Sequence, residues 1–418
     1  MAKSNDFIVA VDIGTSSIKT LVANINESES KNKFRFESLK VIAFSSIPFS
    51  GVQKGMIVNI EETISAIKKS IFECENMAGI KLTKAVVNIS ANYSSCLNSS
   101  GVVGVKTKEI SKGDIERVLT AAKAVAISAD QHPLHLIPQE YKVDEHDQIK
   151  DPLGMMGVRL EAKVHMITAS KSVIQNVISC CNKSKLLVKD LCLSPVAVSE
   201  SVLSQDEKDL GVAVVDIGAG TSDIAVFYRG SIVYTSSIEF GGNSITQDLS
   251  IGLRTPVAEA EKIKLEYGSA TLDKETSNNK VLASSVGGRP PHEVDLHLIH
   301  EIIECRAEEI LNLIRKQVVN SGCGDIIAGG VVLTGGCTQL KNFNVLANKV
   351  FNIPVKVAYP TTLVGIDEQW FNPELSTVVG MIIWDAKRKF KNNSRNLSRF
   401  KNIVHSGHKI KSWIEELL

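Results

Sequence analysis

Two stretches of the chain share one hydrophobic signature. Residues 7–11 are apolar, the turn Asp12-Ile13-Gly14-Thr15-Ser16 interrupts them, and residues 18–22 resume the run. Residues 212–215 lead in the same way into Asp216-Ile217-Gly218-Ala219-Gly220-Thr221, and 224–227 follow. The two aspartates lie 204 residues apart in a chain of 418. An apolar run, a tight glycine turn and a second apolar run predict strand, turn, strand. Meeting the pattern twice predicts two related halves.

Between the copies, isoleucines at 60, 64, 67 and 71 recur at helical spacing and predict a helix over 60–77. From 84 to 164 the pattern changes. Strands are predicted at 84–90 and 102–105, a helix over 111–127, and a strand pair near 140–143 and 160–167. This reads as a compact inserted α+β module. The second half opens with a strand at 186–193 and a helix beginning near Pro195, and a strand at 231–240 follows the second turn. Helices are predicted at 244–252, 256–267 and 293–319, with an irregular stretch at 269–291. A buried-type strand at 331–334 runs into Gly335-Gly336, a helix follows at 342–350, and residues 376–384 close the core.

The turns suggest their chemistry. Gly, Thr and Ser present backbone N–H groups and hydroxyls at one point, which suits a phosphate chain. An Asp beside such a turn cannot hold a bare phosphate, but it can hold a hydrated Mg²⁺ that does. Two such hairpins imply a nucleotide gripped between two halves. Paired glycines at 335 and 336 allow close backbone approach to a flat base.

Composition narrows the classes. Apolar content of 44% is that of an ordinary globular protein. A net charge of +1 gives no general pull toward nucleic acid, and no nucleic-acid partner is expected. The eight cysteines include no CxxC pair, and vicinal Cys180-Cys181 is poor disulfide geometry, so reduced thiols in a cytosol are expected. No signal peptide or spanning apolar stretch is read. From Lys387 on the chain turns basic, with no acid until Glu415. This stretch reads as a solvated linker.

The two Asp-Gly hairpins, the Gly335-Gly336 turn and the helix 260–268 resemble, in this order, the actin superfamily. The segments 135–144, 151–160 (Asp-Pro-Leu-Gly-Met-Met-Gly-Val-Arg-Leu) and 240–249 are similar to the bacterial FtsA cell-division family, over nearly the whole chain. The resemblance implies an α/β, actin-like ATPase fold of two related domains around a nucleotide cleft, with an FtsA-type inserted α+β subdomain and a C-terminal amphipathic helix. It implies subdomain 1A at 1–83 and 165–192 (closed by 365–386), 1C at 84–164, 2A at 193–242 and 329–364, and 2B at 243–328. A flexible basic linker at 387–406 and a membrane-targeting helix at 407–418 complete it. Members of the family bind ATP, polymerise, bind the tail of the tubulin-like FtsZ, recruit later division proteins, and attach that system to the cytoplasmic face of the inner membrane at the septum.

By motif match, Gly14, Thr15, Ser16 and Lys19 form the first phosphate hairpin, and Gly218, Ala219, Gly220 and Thr221 the second. Asp12 and Asp216 orient Mg²⁺ waters, Gly335, Gly336 and Cys337 border the adenine, Glu261 and Lys264 reach ribose or base, and Gly242 and Asn243 belong to the set. An exposed helix face is an equal reading of Glu261 and Lys264, and a solvated strand residue an alternative for Lys19. Hydrolysis needs a group that positions water. The stretch 165–171 supplies none, His165 reads as a strand residue, and Gln175 lies too far along. ATP binding with at most weak turnover is expected. The FtsZ tail is expected on 243–328, with Arg306 a candidate contact and a solvated helix residue its alternative.

In the last segment Ile410, Trp413, Ile414, Leu417 and Leu418 form one stripe at helical spacing, with Lys409 and Lys411 beside it. Trp on the stripe and Lys beside it suit an anionic lipid interface, and packing on the chain's own body is the alternative. Rival readings of the whole are a soluble kinase or phosphatase of the superfamily, a pilus-assembly scaffold of the PilM type, and a chaperone ATPase.

Overall fold

The computed structural model describes residues 7–25, 36–272, 279–367 and 371–397. The first lobe begins with β1 (Phe7–Ile13), β2 (Ser17–Ile25) and β3 (Leu39–Pro48), then a short hairpin of β4 (Val52–Gln53) and β5 (Met56–Ile57). Helix α1 (Ile60–Ala78) follows, capped by Asn59 and ended by Gly79 in the left-handed region, and leads to β6 (Lys84–Ile89).

The inserted module comprises β7 (Ser94–Gly104), α2 (Lys112–Lys123), β8 (Gln131–Val143), β9 (His146–Ile149) and β10 (Arg159–Ser170). Its sheet order is β7-β10-β8-β9. Next come α3 (Lys171–Lys183), β11 (Leu187–Leu193), α4 (Ser194–Val202) and α5 (Gln205–Leu210). The second lobe has β12 (Val212–Ile217), β13 (Ser222–Tyr228) and β14 (Ser231–Ile238), then α6 (Gly242–Gly252) and α7 (Val257–Tyr267). It continues with β15 (Lys280–Ala283), β16 (His292–Asp295), α8 (Leu296–Asn320), β17 (Val331–Thr334), α9 (Phe343–Phe351) and β18 (Val355–Val357). Helix α10 (Ser376–Leu397) returns to the first lobe.

The two lobes repeat one topology. Sheet β11-β6-β1-β2-β3 and sheet β14-β13-β12-β17-β18 each pair an antiparallel meander with parallel strands. Each has its own apolar core, and the module has a third around Val118, Leu160 and Val164.

Several sequence expectations change. The strand at 84–89 was placed in the module, but β6 lies inside the first sheet between β1 and β11. Its alternate residues are buried on both faces, which a module edge would not require. The module's far boundary at 164 cuts β10, which pairs with β7 and β8 out to Ala169 and Ser170. Strand β7 is 11 residues long rather than the short run at 102–105, because polar Ser and Asn alternate through its first half and hide its period. Helix α2 stops at Lys123 rather than Ile127, with Ala124 closing the last turn. Residues 280–283 of the irregular stretch and 292–295 at the expected start of the helix instead form the β15–β16 ribbon, pairing Lys280 with Asp295. The expected linker begins too early: α10 continues through Leu397. Lys387 and Arg388 there pair with Glu200 and Asp190, so these charges are used up holding the helix down. The amphipathic stretch at 407–418, with Lys409, Ile410, Lys411, Trp413, Ile414, Leu417 and Leu418, lies outside the described residues.

Candidate functional site: a cleft between two matched hairpins

The same hydrogen bond closes both turns: Gly14 N–H donates to Ser17 O (3.1 Å), and Gly218 N–H to Thr221 O (3.0 Å). The turns face each other across a cleft of about 790 Å³. Secondary contacts fix them. Ile13 N–H donates to Asn88 Oδ1 at 2.7 Å, and Asn88 donates on to Ser194. On the other side α6 starts against the second turn, with Gly242 N–H on Gly218 O (2.9 Å) and Asn243 N–H on Ala219 O (2.8 Å).

All seventeen residues expected at a nucleotide line this one cleft, from Asp12 through Cys337. Lys19 is buried, so the solvated reading fails for it. Lys264 is buried as well, its ammonium donating to Thr246 Oγ1 (2.8 Å), Glu261 Oε2 (2.7 Å) and Gly242 O (3.2 Å), whereas Glu261 keeps partial exposure. Gly335 sits at φ +91°, and a Cβ there would overlap Asp216 Oδ1 and the Ile217 carbonyl. Gly220 faces Thr15 of the other lobe, and a Cβ there would approach Thr15 Oγ1 at 2.7 Å.

The floor is acidic and largely buried. Burial pushes Asp12 up to about 6, against the pull of Lys19 and with Asp216 adding to the rise. Burial raises Asp216 also, opposed by the Thr377 hydroxyl, which donates at 2.9 Å, and by Lys19. Asp223 is a third carboxylate that sequence reading passed over. Burial pushes it to about 7 despite the hydrogen bond from Ser237 Oγ at 2.6 Å, and Asp216 adds to the rise. Alternation along β13 marks Asp223 as facing Asp216, its partner in the β12–β13 register, and that was the available signal. Two buried carboxylates, Asp12 and Asp223, and the half-buried Asp216 beside one ammonium leave negative charge that a cation would balance. Their donors are all oxygen, which suits Mg²⁺. Among the described residues no group of three or more His, Cys, Asp or Glu side chains can hold a metal by itself. Contact through water and phosphate is the arrangement such a floor fits.

Tyr267, Gly268, His300, Gly336 and Leu340 also line the cleft, beside Glu266, Lys341 and Glu374. His300 donates through Nε2–H to the Tyr267 carbonyl (2.9 Å), while its Nδ1 is buried with no partner among the described residues. An orphaned ring nitrogen lining a cleft is a place for a ligand's polar edge. No local sequence pattern could have shown it, since α8 brings His300 there from 36 residues beyond Lys264.

Two other residues weighed in the sequence lie outside the cleft. His165 is a strand residue, fully buried away from the cleft between Asn98 Oδ1 (2.8 Å) and Thr235 Oγ1 (3.3 Å). Arg306 is not solvated: it donates to Asp248 (2.5 and 3.1 Å) and Glu309 (2.5 Å) and lies over the Phe240 ring.

Family models match twice, "Cell division protein FtsA" over residues 213–380 and "SHS2 domain inserted in FTSA" over 91–168. The chain is 38% identical over 396 residues to the cell division protein FtsA of Pseudomonas aeruginosa, covering 95% of this chain and 93% of that one. It is 33% identical to that of Escherichia coli K12 over 426 residues, covering 100% and 98%. The chain belongs to the FtsA family. Its place is therefore in cell division, and the rival kinase, chaperone and pilus readings lose their ground. Solved structures confirm the actin-like fold of this FtsA-family chain. A PilM-PilN type IV pilus biogenesis complex superposes with TM-score 0.63 at 15% identity, covering 91% of this chain and 98% of that one. MreB5 of Spiroplasma citri bound to ADP gives 0.57 at 15%, covering 94% and 99%. The inserted domain of the FtsA family coincides with the β7–β10 module.

Proposed function

We propose that this FtsA-family chain binds ATP with Mg²⁺ in the cleft, polymerises, binds the FtsZ tail and tethers FtsZ filaments to the cytoplasmic face of the inner membrane at the septum. The observation that carries the nucleotide reading is the convergence of two identically closed hairpins over a buried acidic floor. The N–H groups of Gly14 to Ser16 and Gly218 to Thr221 hold the phosphates, and Lys19 adds a charge to them. Asp12 and Asp216, with Asp223 behind, hold the waters of the metal. When bound, Mg²⁺ neutralises phosphate charge. Gly335, Gly336, Cys337 and His300 frame the base, and Glu261 and Lys264 the ribose. The cleft's glutamine, Gln339, stands at the base end, bonded to Glu374 at 3.2 Å, so slow turnover is expected.

The module supplies subunit contacts or receives later division proteins. Helix α8 receives the FtsZ tail, and Arg306 exchanges Asp248 or Glu309 for it. Residues 407–418 insert into lipid. Titration with a fluorescent ATP analogue, with Mg²⁺ and with EDTA, tests the cleft: tight binding lost in EDTA is expected, and none in either buffer would refute it. Co-sedimentation with anionic vesicles, with and without FtsZ and ATP, tests the tether.

A further inference from the structure

One edge of the first lobe collects strand starts, cations and the exit of the chain. β6 runs parallel to β1 with Ala10 beside Val86, and β11 runs parallel to β6 with Leu187 beside Lys84. Phe7, Lys84 and Leu187 therefore begin their strands along one line, opposite the end that carries the Gly14 turn. Leu187 N–H donates to Thr83 O at 2.9 Å; Lys183 ends α3 and Lys185 stands on the turn just before the strand. Helix α1 ends there too, with Met77 exposed. Helix α10 descends to the same line: Asp385 meets Lys189, Arg388 meets Asp190, and Lys389 Nζ donates to Phe7 O at 3.0 Å. Two more turns carry it to Leu397, and the sequence continues for 21 residues.

The charge on this edge is uncompensated. Lys84, Lys183 and Lys185 are exposed and form no ion pair among the described residues. The neighbouring carboxylates are already engaged, Glu75 by Lys81, Asp190 by Arg388 and Asp385 by Lys189. Leu187 and Met77 stand exposed among these cations. Cations interleaved with apolar side chains are also the chemistry of the tail that leaves from here.

We propose that this edge, Lys84, Lys183 and Lys185 with Leu187 and Met77, is a second lipid-facing surface that rests on anionic headgroups when the tail is inserted. It builds on the membrane reading above and adds a contact by the folded body. The ion pairs of α10 fix the exit of the helix on this edge; its two turns to Leu397 span about 12 Å, and residues 398–406 leave enough chain for the body to settle this edge on the surface that the tail enters. Each lysine there is worth about a 5-fold gain in affinity.

Flotation of the full chain on phosphatidylcholine vesicles, with and without a quarter phosphatidylglycerol, at low and high salt, tests this. The variants are Lys84→Glu/Lys183→Glu/Lys185→Glu, the charge-matched Arg315→Glu/Lys316→Glu/Lys349→Glu on exposed positions of the other lobe, and Trp413→Glu. Melting curves establish that each is folded. The edge triple is expected to lose at least about 10-fold in affinity on anionic vesicles, to lose most of its salt dependence, and to match the unaltered chain on neutral ones. The control triple should lose little. Equal losses in both triples, or none in the edge triple while Trp413→Glu detaches, would overturn the edge and leave the tail standing. An unaltered chain that floats with neither vesicle would overturn the membrane reading and this inference together.

Discussion

Gly335 and Gly336 read alike in the sequence but differ in what they demand. Gly335 holds φ +91° against Asp216 and Ile217, whereas Gly336 has an ordinary backbone, and a Cβ there would meet Glu374 Cγ at 3.1 Å. Gly335→Ala puts a side chain at φ +91°, ψ 161°, a region almost reserved for glycine that costs about 1–3 kcal/mol, and displaces Asp216 from the floor. Its ATP-analogue affinity should fall at least about 10-fold with circular dichroism unchanged, and an unaltered affinity would remove Gly335 from the site. Gly336→Asp sets a carboxylate beside Glu374 at the rim of the base end, and nucleotide binding should be lost there too. An unaltered affinity in a folded protein would take Gly336 out of the site. The seventeen residues that line the cleft were legible as candidates because they fall in or near short glycine-marked segments with a local pattern. Asp223 and His300 were not, because each reaches the cleft through pairing or packing that no local period encodes.

At the scale of elements, the module meets the second lobe through side chains rather than through a strand ladder. β14 is an edge strand, and its carbonyls are met by Asn98 at Val233 (3.0 Å), Gln139 at Ile232 (2.9 Å) and the Cys96 thiol at Thr235 (3.2 Å). His165 is sealed into this seam, and burial lowers it from 6.5 to about 4. The unfolded chain therefore takes up a proton below about 6.5 that the folded seam refuses until about 4, so His165 costs stability as pH falls through that window. Asp12 and Asp223, raised by burial, act in the opposite sense, so the informative quantity is a difference. The melting temperature of His165→Gln minus that of the unaltered chain should rise between pH 7 and pH 4.5, and a flat difference would refute the assignment. Helix α10 makes a second case. Arg388 neutralises Asp190, which is nearly buried, and covers Trp384 at 4.3 Å. Arg388→Ala leaves that carboxylate without its partner, and a loss of about 3 kcal/mol, read as a drop of several degrees in melting, is expected. Sequence reading took Arg388 for linker because a charge run looks solvated until its partners, distant in the chain, are known. It missed the β15–β16 ribbon for a related reason: four-residue strands are too short to show a period.

For the whole molecule, two hairpins repeated at half-chain spacing were enough to foretell two lobes and a cleft, since a duplicated fold repeats its local signals. The proposed tether is tested at this scale. On that reading, five apolar side chains at 410, 413, 414, 417 and 418, each worth roughly 1.5–3 kcal/mol when fully buried, would sit only partly in lipid and would also have to offset the ordering of a helix. A few kcal/mol remain, to which adjacent lysines add about 1 kcal/mol each. On the tether reading, one chain would bind a vesicle reversibly, and a filament of such chains would bind through effective concentration. Vesicle binding should therefore steepen with protein concentration, and with ATP if ATP promotes assembly. Trp413→Glu removes the stripe's largest side chain and adds a charge whose desolvation costs a few kcal/mol, comparable with the whole single-chain affinity. The variant should melt as the unaltered chain does, retain ATP and FtsZ, and lose vesicles and septal localisation. If the segment packs on the body instead, the same change should lower the melting temperature and leave vesicle binding nearly intact. Emission separates the cases, because Trp413 is one of three tryptophans and Trp384 lies beneath Arg388 in the body. A blue shift on adding anionic vesicles that disappears in Trp413→Glu supports insertion, and its absence under filament-forming conditions would end the tether reading.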